Sequence, residues 1–215
     1  MAALGDFLKT AWYNAKIIFG WNLAAAAGIC ILVFIIFDLN YLVFNDIAQI
    51  GELFLSTLGI MLFPGLGSIE GRTNSSEIIY VKMRSHLFIF LLRIILAAVL
   101  LFFLILGVVL FARLNNGSFD CIIVTCGVFI SALYLGMLGL TAANLQRDPA
   151  PGYIVAFGYF LFEYFSRGKY TSQFYIFGLL NHDFNSKYAI LFVSFLLLVI
   201  NYTYIKYRYS RDTLA

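Results

Sequence analysis

The stretch LFIFLLRIILAAVLLFFLILGVVLFA (87–112) is apolar from end to end apart from Arg93. A bilayer-spanning helix needs about 20 mostly apolar residues, and this run exceeds that length. Its residues do not alternate between apolar and polar, as the strands of a membrane barrel would. The stretch therefore predicts a transmembrane helix that is long enough to tilt in the bilayer.

The composition of the whole chain agrees with this stretch. Its 215 residues are 62% hydrophobic and 12% charged, with a mean hydropathy of +0.92. Soluble domains are roughly 45–50% apolar and about 25% charged. We therefore expect an all-α integral membrane protein that forms a single transmembrane domain over residues 1–215, in contact with membrane lipid.

On either side of 87–112, further apolar runs predict six transmembrane helices in total. The six runs cover residues 17–37, 47–63, 87–112, 121–143, 153–165 and 188–204. The fifth run is short, and apolar runs of about 10–14 residues are more often re-entrant or interfacial unless the helix is short or the bilayer is locally thin. The aromatic residues 170–180 that follow are too few to cross, which predicts re-entrant segments between spans five and six.

The N-terminus and the basic residues predict the orientation. Apolar residues recur at helical spacing over residues 4–12, which favours an interfacial helix before the first span over a signal peptide. Of the 14 Lys and Arg residues, only Arg113, Arg167, Lys169 and Lys187 fall in predicted outer segments. By the positive-inside rule we expect a multi-pass plasma-membrane protein with both termini cytoplasmic. Because the basic residues act as topology signals, no nucleic-acid partner is expected.

The longest polar interruption is PGLGSIEGRTNSSEIIYVKMRSH (64–86). Asn74, followed three residues later by Glu77, resembles a capping box and predicts a short helix from about Ser75. This helix carries apolar residues on more than one side, which indicates partners on more than one side. Two interpretations stay open: the helix docks on another protein, or it lies on lipid headgroups.

Within the second span, Asn45, Gln49, Glu52 and Ser56 are spaced by four, three and four residues, so they predict one polar stripe on an α-helix. An ionisable residue inside a span is by default a functional-site hypothesis. The alternative is hydrogen bonding between helices, which is common in membrane bundles. Glu163 in the fifth span either lines a polar path or pairs with Arg167 at i,i+4 spacing.

Motifs for catalysis and nucleotide binding are missing from the sequence. It contains no HExxH, CxxC or GxSxG, and His86 and His182 fall in predicted loops. It also lacks the GxxxxGK[ST] phosphate loop. We therefore expect no enzymatic activity, no metal site and no cofactor in this chain, so that any ATP and Mg²⁺ would be bound by a partner.

Segment 62–91, LFPGLGSIEGRTNSSEIIYVKMRSHLFIFL, together with the order of the spans, resembles the permease subunits of type-2 ATP-binding-cassette exporters. The resemblance covers an acidic-plus-basic loop, a short coupling helix and the entry into span three. It implies a permease that dimerises with the same or a homologous chain and sits on two cytosolic ATPase subunits. The coupling helix, residues 75–86, would insert into a groove of the ATPase. The docking residues would be Glu70, Arg72, Asn74, Ser76, Glu77, Ile79, Tyr80, Met83 and Arg84.

The same resemblance implies a translocation path between the two permeases, lined largely by spans one, two and five. The path residues would be Asn22, Asn45, Gln49, Glu52, Ser56 and Glu163. The expected function is ATP-driven export of a substrate that the sequence does not specify. The alternative is a non-transporting membrane scaffold that recruits a cytosolic partner through the same loop. An intramembrane enzyme or ion-coupled carrier is the third hypothesis, based only on Glu52 and Glu163.

Overall fold

The computed structural model describes residues 20–67, 86–181 and 183–212 of the chain. Over these ranges the secondary structure is helical, with one isolated bridge between Val43 and Ser118 and no strand. The helices are α1 (Trp21–Ile36), α2 (Phe44–Gly67), α3 (His86–Leu114), α4 (Cys121–Gln146), α5 (Pro149–Ser166) and α6 (Phe184–Asp212). The predicted all-α membrane fold is confirmed.

Four of these helices, α2, α3, α4 and α6, are long and apolar enough to cross a membrane. The described part of α1 has 16 residues and α5 has 18. At 1.5 Å per residue these lengths are about 24 and 27 Å, short of a hydrocarbon core of roughly 30 Å. Four helices are therefore long and apolar enough for the predicted spans, whereas the crossing of α1 and α5, and with it the count of six, stays a prediction.

Two predicted helices fall outside the described residues: the N-terminal interfacial helix and the coupling helix. The exception is His86, the last residue predicted for the coupling helix. His86 is the first described residue of α3 and directly precedes the candidate span Leu87–Leu114.

Helix α4 packs against α2, α3, α5 and α6. Small residues make these contacts close. A Cβ atom on Gly59 of α2 would lie 1.8 Å from the carbonyl oxygen of Ala132, and a Cβ atom on Gly152 of α5 would lie 2.5 Å from that of Gly139. In the sequence, the four-residue spacing of Ala132 and Gly136, and of Gly139 and Ala143, predicts close helix contact in the fourth span. These contacts confirm it, since only glycine allows backbones this near to each other.

Residues 144–152, between the fourth and fifth apolar runs, are predicted from the sequence to form an inner loop closed by two prolines, and the structure shows that this loop prediction is wrong. Helix α4 continues to Gln146 and α5 begins at Pro149, which leaves only Arg147 and Asp148 between them. Arg147 has a left-handed φ of 59°, and Asp148 Oδ1 accepts a hydrogen bond of 3.3 Å from the amide of Ala150. Proline is tolerated in the first turn of a helix because its missing N–H has no intrahelical partner there. The two prolines therefore start α5 and do not end a loop.

At the predicted outer end, the connections before α2 and before α4 are joined to each other. The Tyr41 amide donates to the Asn115 carbonyl over 3.0 Å, and the Ser118 amide donates to the Leu42 carbonyl over 2.9 Å. Asp120 then caps α4 by accepting from the Ile122 amide at 2.9 Å. These bonds hold the outer ends of α1 to α4 together.

The chain between α5 and α6 contains two short 3₁₀ helices, Ser172–Phe174 and Gly178–Asn181. We call residues 171–181 the return segment. Ile176, Phe177 and Leu179 of this segment are buried. Phe174 of the first short helix is exposed, so only the later part of the segment is buried in the bundle. The re-entrant placement of these short helices in a membrane stays a prediction.

Candidate functional site

A π-helical turn over Gly51–Leu55 interrupts α2. The Ser56 amide donates to the carbonyl of Gly51, five residues back, over 2.9 Å. The Ser56 hydroxyl donates to the Glu52 carbonyl over 2.5 Å. A π turn is rare, and such turns occur frequently at functional sites. Glu52 lies within this turn, which makes it the first residue to consider for a site.

The π turn splits the predicted polar stripe of α2 into two pairs. Asn45 and Gln49, before the turn, are exposed, whereas Glu52 and Ser56 are fully buried. The wider turn places an extra residue in the helical register, so residues on either side of it no longer share one face. The four residues therefore face two environments.

Glu52 forms a buried ion pair with Lys187 near the start of α6. The Glu52 side chain is completely buried, and the Lys187 side chain is 3% exposed. Lys187 was counted among the outer basic residues; the structure buries its side chain in the bundle, and the side of the membrane on which it lies stays a prediction. Burying the Glu52 carboxylate without a cation would cost much free energy, and the ammonium group of Lys187 offsets that cost.

All three donors of the Lys187 ammonium group have acceptors, which is the full capacity of a lysine. One is Glu52 Oε1, one is Ser131 Oγ of α4 at 2.6 Å, and one is the Ile176 carbonyl of the return segment. Ser131 also donates to that same carbonyl over 3.0 Å. The lysine therefore joins α2, α4, α6 and the return segment at one point.

The carboxylate of Glu52 accepts two further hydrogen bonds from the return segment. The Leu179 amide donates to Oε1 over 3.0 Å, and the Leu180 amide donates to Oε2 over 3.4 Å. Non-helical backbone at membrane depth is tolerated only where its polar groups find partners. We call Glu52, Lys187 and Ser131 the ionic cluster; it supplies those partners and fixes the return segment in the bundle.

Glu163 of α5 lies near the same end of the bundle but makes different contacts. Its side chain is buried, and Oε2 accepts a hydrogen bond of 2.9 Å from the Thr171 hydroxyl. Glu163 does not form the predicted alternative ion pair with Arg167, although both residues are described. The Arg167 amide still donates to the Glu163 carbonyl over 3.0 Å, but α5 ends at Ser166 and Arg167 adopts a left-handed φ of 50°, which turns its side chain away from the regular i,i+4 position.

Asn22, the remaining predicted path residue, lies apart from the ionic cluster. Its Oδ1 accepts a hydrogen bond of 3.2 Å from the Tyr153 hydroxyl near the start of α5. A Cβ atom on Gly65, near the other end of α2 from the ionic cluster, would lie 1.9 Å from the Asn22 amide nitrogen. The structure of one chain therefore does not bring all six predicted path residues together.

A second buried polar cluster, absent from the sequence predictions, joins α4 to α6. Asn144 Nδ2 donates to Asn201 Oδ1 over 2.6 Å, and Asn201 Nδ2 donates to Thr141 Oγ1 over 2.8 Å. We call these three residues the amide cluster. Asn201 is a single asparagine within the apolar run of α6, and that is the sequence signal that could have predicted a polar partner on another helix.

A cleft of about 720 Å³ opens beside the ionic cluster, between the first turns of α2, the end of α5 and the return segment. Three polar side chains line it: Gln49, Arg167 and Asn181. Four aromatic side chains form much of the remaining wall: Tyr164, Phe165, Tyr175 and Phe177. Cavities of roughly 300–1,000 Å³ with a few polar groups among apolar walls are typical of ligand sites.

Comparisons with protein-family models, with curated proteins and with solved structures found no match. The site is therefore interpreted from its own contacts. Over residues 20–67, 86–181 and 183–212, no three His, Cys, Asp or Glu residues are grouped as a metal site would need. The nine predicted ATPase-docking residues, all between Glu70 and Arg84, lie outside the described residues.

Proposed function

We propose that this chain is the permease subunit of an ATP-driven transporter and works as an exporter. The observation that carries the proposal is the cleft beside the ionic cluster, which opens at one end of a bundle of apolar helices. A helix bundle that only resides in the membrane does not require such a cleft, whereas a permease requires one to bind its substrate. The same proposal includes six transmembrane spans, a location in the plasma membrane and a cytoplasmic position for both termini.

The route from an ATPase to the cleft follows the chain. Helices α2 and α3 flank residues 68–85, so a force on that polar segment acts on both helices directly. Glu52 lies on α2 and is bound to α6 and to the return segment. A shift of α2 therefore changes the wall of the cleft formed by the return segment. Such coupling is a population shift between two packings, driven by the partner's ATP cycle.

The proposed assembly contains two cytosolic ATPase subunits and a second permease, either the same chain or a homologue. ATP and Mg²⁺ belong to the ATPases. The translocation path would run between the two permeases, which accounts for the separation of Asn22 from Glu52 and Glu163 within one chain. Residues from both copies would then complete a path that a single copy leaves open.

The docking part of the proposal is tested by charge reversal in the polar segment. We expect the double variant Glu77→Lys/Arg84→Glu to insert normally in the membrane while losing its ATPase subunit. The measurement is copurification of an ATPase encoded beside this chain, followed by ATP hydrolysis of the purified complex in liposomes.

The matched control for docking is Lys169→Glu, which reverses one exposed charge at the opposite end of the bundle. It should keep both copurification and hydrolysis. A double variant that hydrolyses ATP at the wild-type rate in the assembled complex would contradict docking through this segment.

A non-transporting scaffold is the second candidate, and one observation favours it: both carboxylate oxygens of Glu52 are occupied by bonds within the chain. The two candidates differ at Gln49, which is exposed and lines the cleft. Gln49→Leu should reduce export at normal expression if the chain is a permease. A scaffold should tolerate the change and keep its cytosolic partner, measured by copurification.

A further inference from the structure

The cleft beside the ionic cluster has a net positive lining. Arg167 is its only charged lining residue within the described part of the chain. Neither nearby carboxylate lines the cleft: Glu52 is paired with Lys187, and Glu163 accepts a hydrogen bond from Thr171. A guanidinium group presents five N–H donors in a fork that matches the oxygens of a phosphate or carboxylate.

The other polar groups of the cleft add hydrogen-bond donors. Gln49 and Asn181 each carry an amide NH₂, from the α2 side and the return-segment side. Tyr175 also lines the cleft, and its phenolic hydroxyl, which is protonated at neutral pH, can donate as well. Donors surrounding one cation favour an anionic group.

The aromatic wall indicates where the rest of the ligand lies. Phe165 is 77% exposed and Tyr164 is 49% exposed, although both line the cleft at the end of α5. Exposed aromatic residues at the ends of spans lie at the level of the lipid headgroups. A ligand with its anionic group on Arg167 would therefore extend its apolar part along these rings into the lipid.

From this juxtaposition we propose that the cleft binds a membrane-resident anionic amphiphile, with its phosphate or carboxylate headgroup on Arg167 and its apolar chain along Tyr164 and Phe165. The volume of about 720 Å³ accommodates a headgroup, not a whole lipid. Binding is a property of the isolated chain. That the amphiphile is also the exported substrate rests on the proposed function.

The test measures binding of fluorescent phosphatidylglycerol, labelled on its acyl chain, to the purified full-length chain in zwitterionic detergent micelles. Fluorescence anisotropy gives the affinity, and the same label on phosphatidylcholine gives the reference. We expect phosphatidylglycerol to bind at least about tenfold more tightly, as a charge-assisted hydrogen-bond pair would produce. Arg167→Gln should abolish this preference, and Arg167→Lys should restore part of it.

Lys169→Gln is the matched control, because it removes one positive charge two residues away on an exposed side chain that does not line the cleft. It should keep the preference. Phe165→Ser should weaken both lipids equally, since it shortens only the apolar wall. These variants change exposed side chains, and their unfolding midpoints should match that of the wild type.

Two results would overturn the proposal. One is an Arg167→Gln variant that keeps the wild-type preference for phosphatidylglycerol. The other is displacement of the labelled lipid by glycerol 3-phosphate as effectively as by unlabelled phosphatidylglycerol, which would mean that the apolar chain contributes nothing. Because no ATPase is present in the measurement, failure of the transporter proposal would leave both results unaffected.

Discussion

The ionic cluster and the amide cluster both join α4 to α6, but they differ in charge and in what else they hold. Ser131 and Thr141 lie about 15 Å apart along α4 at 1.5 Å per residue. The amide cluster connects two regular helices and one of its bonds is to the Leu197 carbonyl of α6 itself. The ionic cluster also binds the backbone of the return segment. The charged side chains therefore occur at the cluster that also has to hold the backbone of the return segment.

The physical reason for this difference is the number and strength of the bonds that each place requires. The return segment presents backbone donors and a carbonyl to the bundle, and a carboxylate with an ammonium group provides acceptors and donors at once. Two helices already satisfy their own backbones, so neutral amides are sufficient between them. We therefore expect the two clusters to differ in what their removal costs.

The largest effect is expected from Lys187→Met, which leaves Glu52 buried without its cation. Breaking one side of a buried ion pair costs about 3–5 kcal/mol. The measurement is the free energy of unfolding of the purified chain, titrated with SDS from mild detergent micelles. The double variant Glu52→Gln/Lys187→Met should recover part of the loss. A double variant no more stable than Lys187→Met would show that the uncompensated charge is not the cause.

An intermediate effect is expected from Gly59→Ala, on the part of α2 that faces α4 between the two clusters. The added Cβ would lie 1.8 Å from the Ala132 carbonyl oxygen, so the helices must move apart. Overpacking of this kind costs about 1–3 kcal/mol in the same unfolding measurement. Gly107→Ala is the control, because nothing lies within 4 Å of its added Cβ. Equal destabilisation by both would contradict the close α2–α4 contact.

The smallest effect is expected from Asn201→Leu, which removes the central member of the amide cluster. Hydrogen bonds between membrane helices contribute about 0.6 kcal/mol on average and about 1.7 at most. The loss in unfolding free energy should therefore fall well below that of Lys187→Met. Asn144→Leu/Asn201→Leu should cost no more than the single change, since no buried amide is then left alone. If Asn201→Leu lost as much unfolding free energy as Lys187→Met, the expected difference between the two clusters would be contradicted.

The positions of the long helices could largely be predicted from the sequence, because an apolar run is recognised from neighbouring residues alone. Residues 87–112 and 121–143 lie within α3 and α4. The wrong predictions lie where a local sequence signal is compatible with more than one structure. Two prolines suggested a loop, although the capping bond from Asp148 shows that they begin a helix. The polar stripe assumed regular α-helical spacing, and the π turn at Gly51–Leu55 breaks that spacing.

The candidate site was less predictable than the helices. Glu52 is recognisable in the sequence as an ionisable residue inside a span, and this choice needs no structure. Its partner lies 135 positions later, and Lys187 by itself resembles any basic residue at the end of a span. The cleft combines residues from α2, the end of α5 and the return segment, and spacing along the chain contains no information about their proximity.

The sequence by itself determined that this protein is a helical membrane protein, where its long apolar helices lie, and that one of them contains a carboxylate. Composition and periodicity are sufficient for these conclusions, because lipid requires each spanning segment to satisfy its own backbone. Only the tertiary structure decided that Glu52 is paired with Lys187 and that Arg167 faces an aromatic cleft. Those relations depend on how the helices pack, which small residues such as Gly59 and Gly139 set through backbone contact.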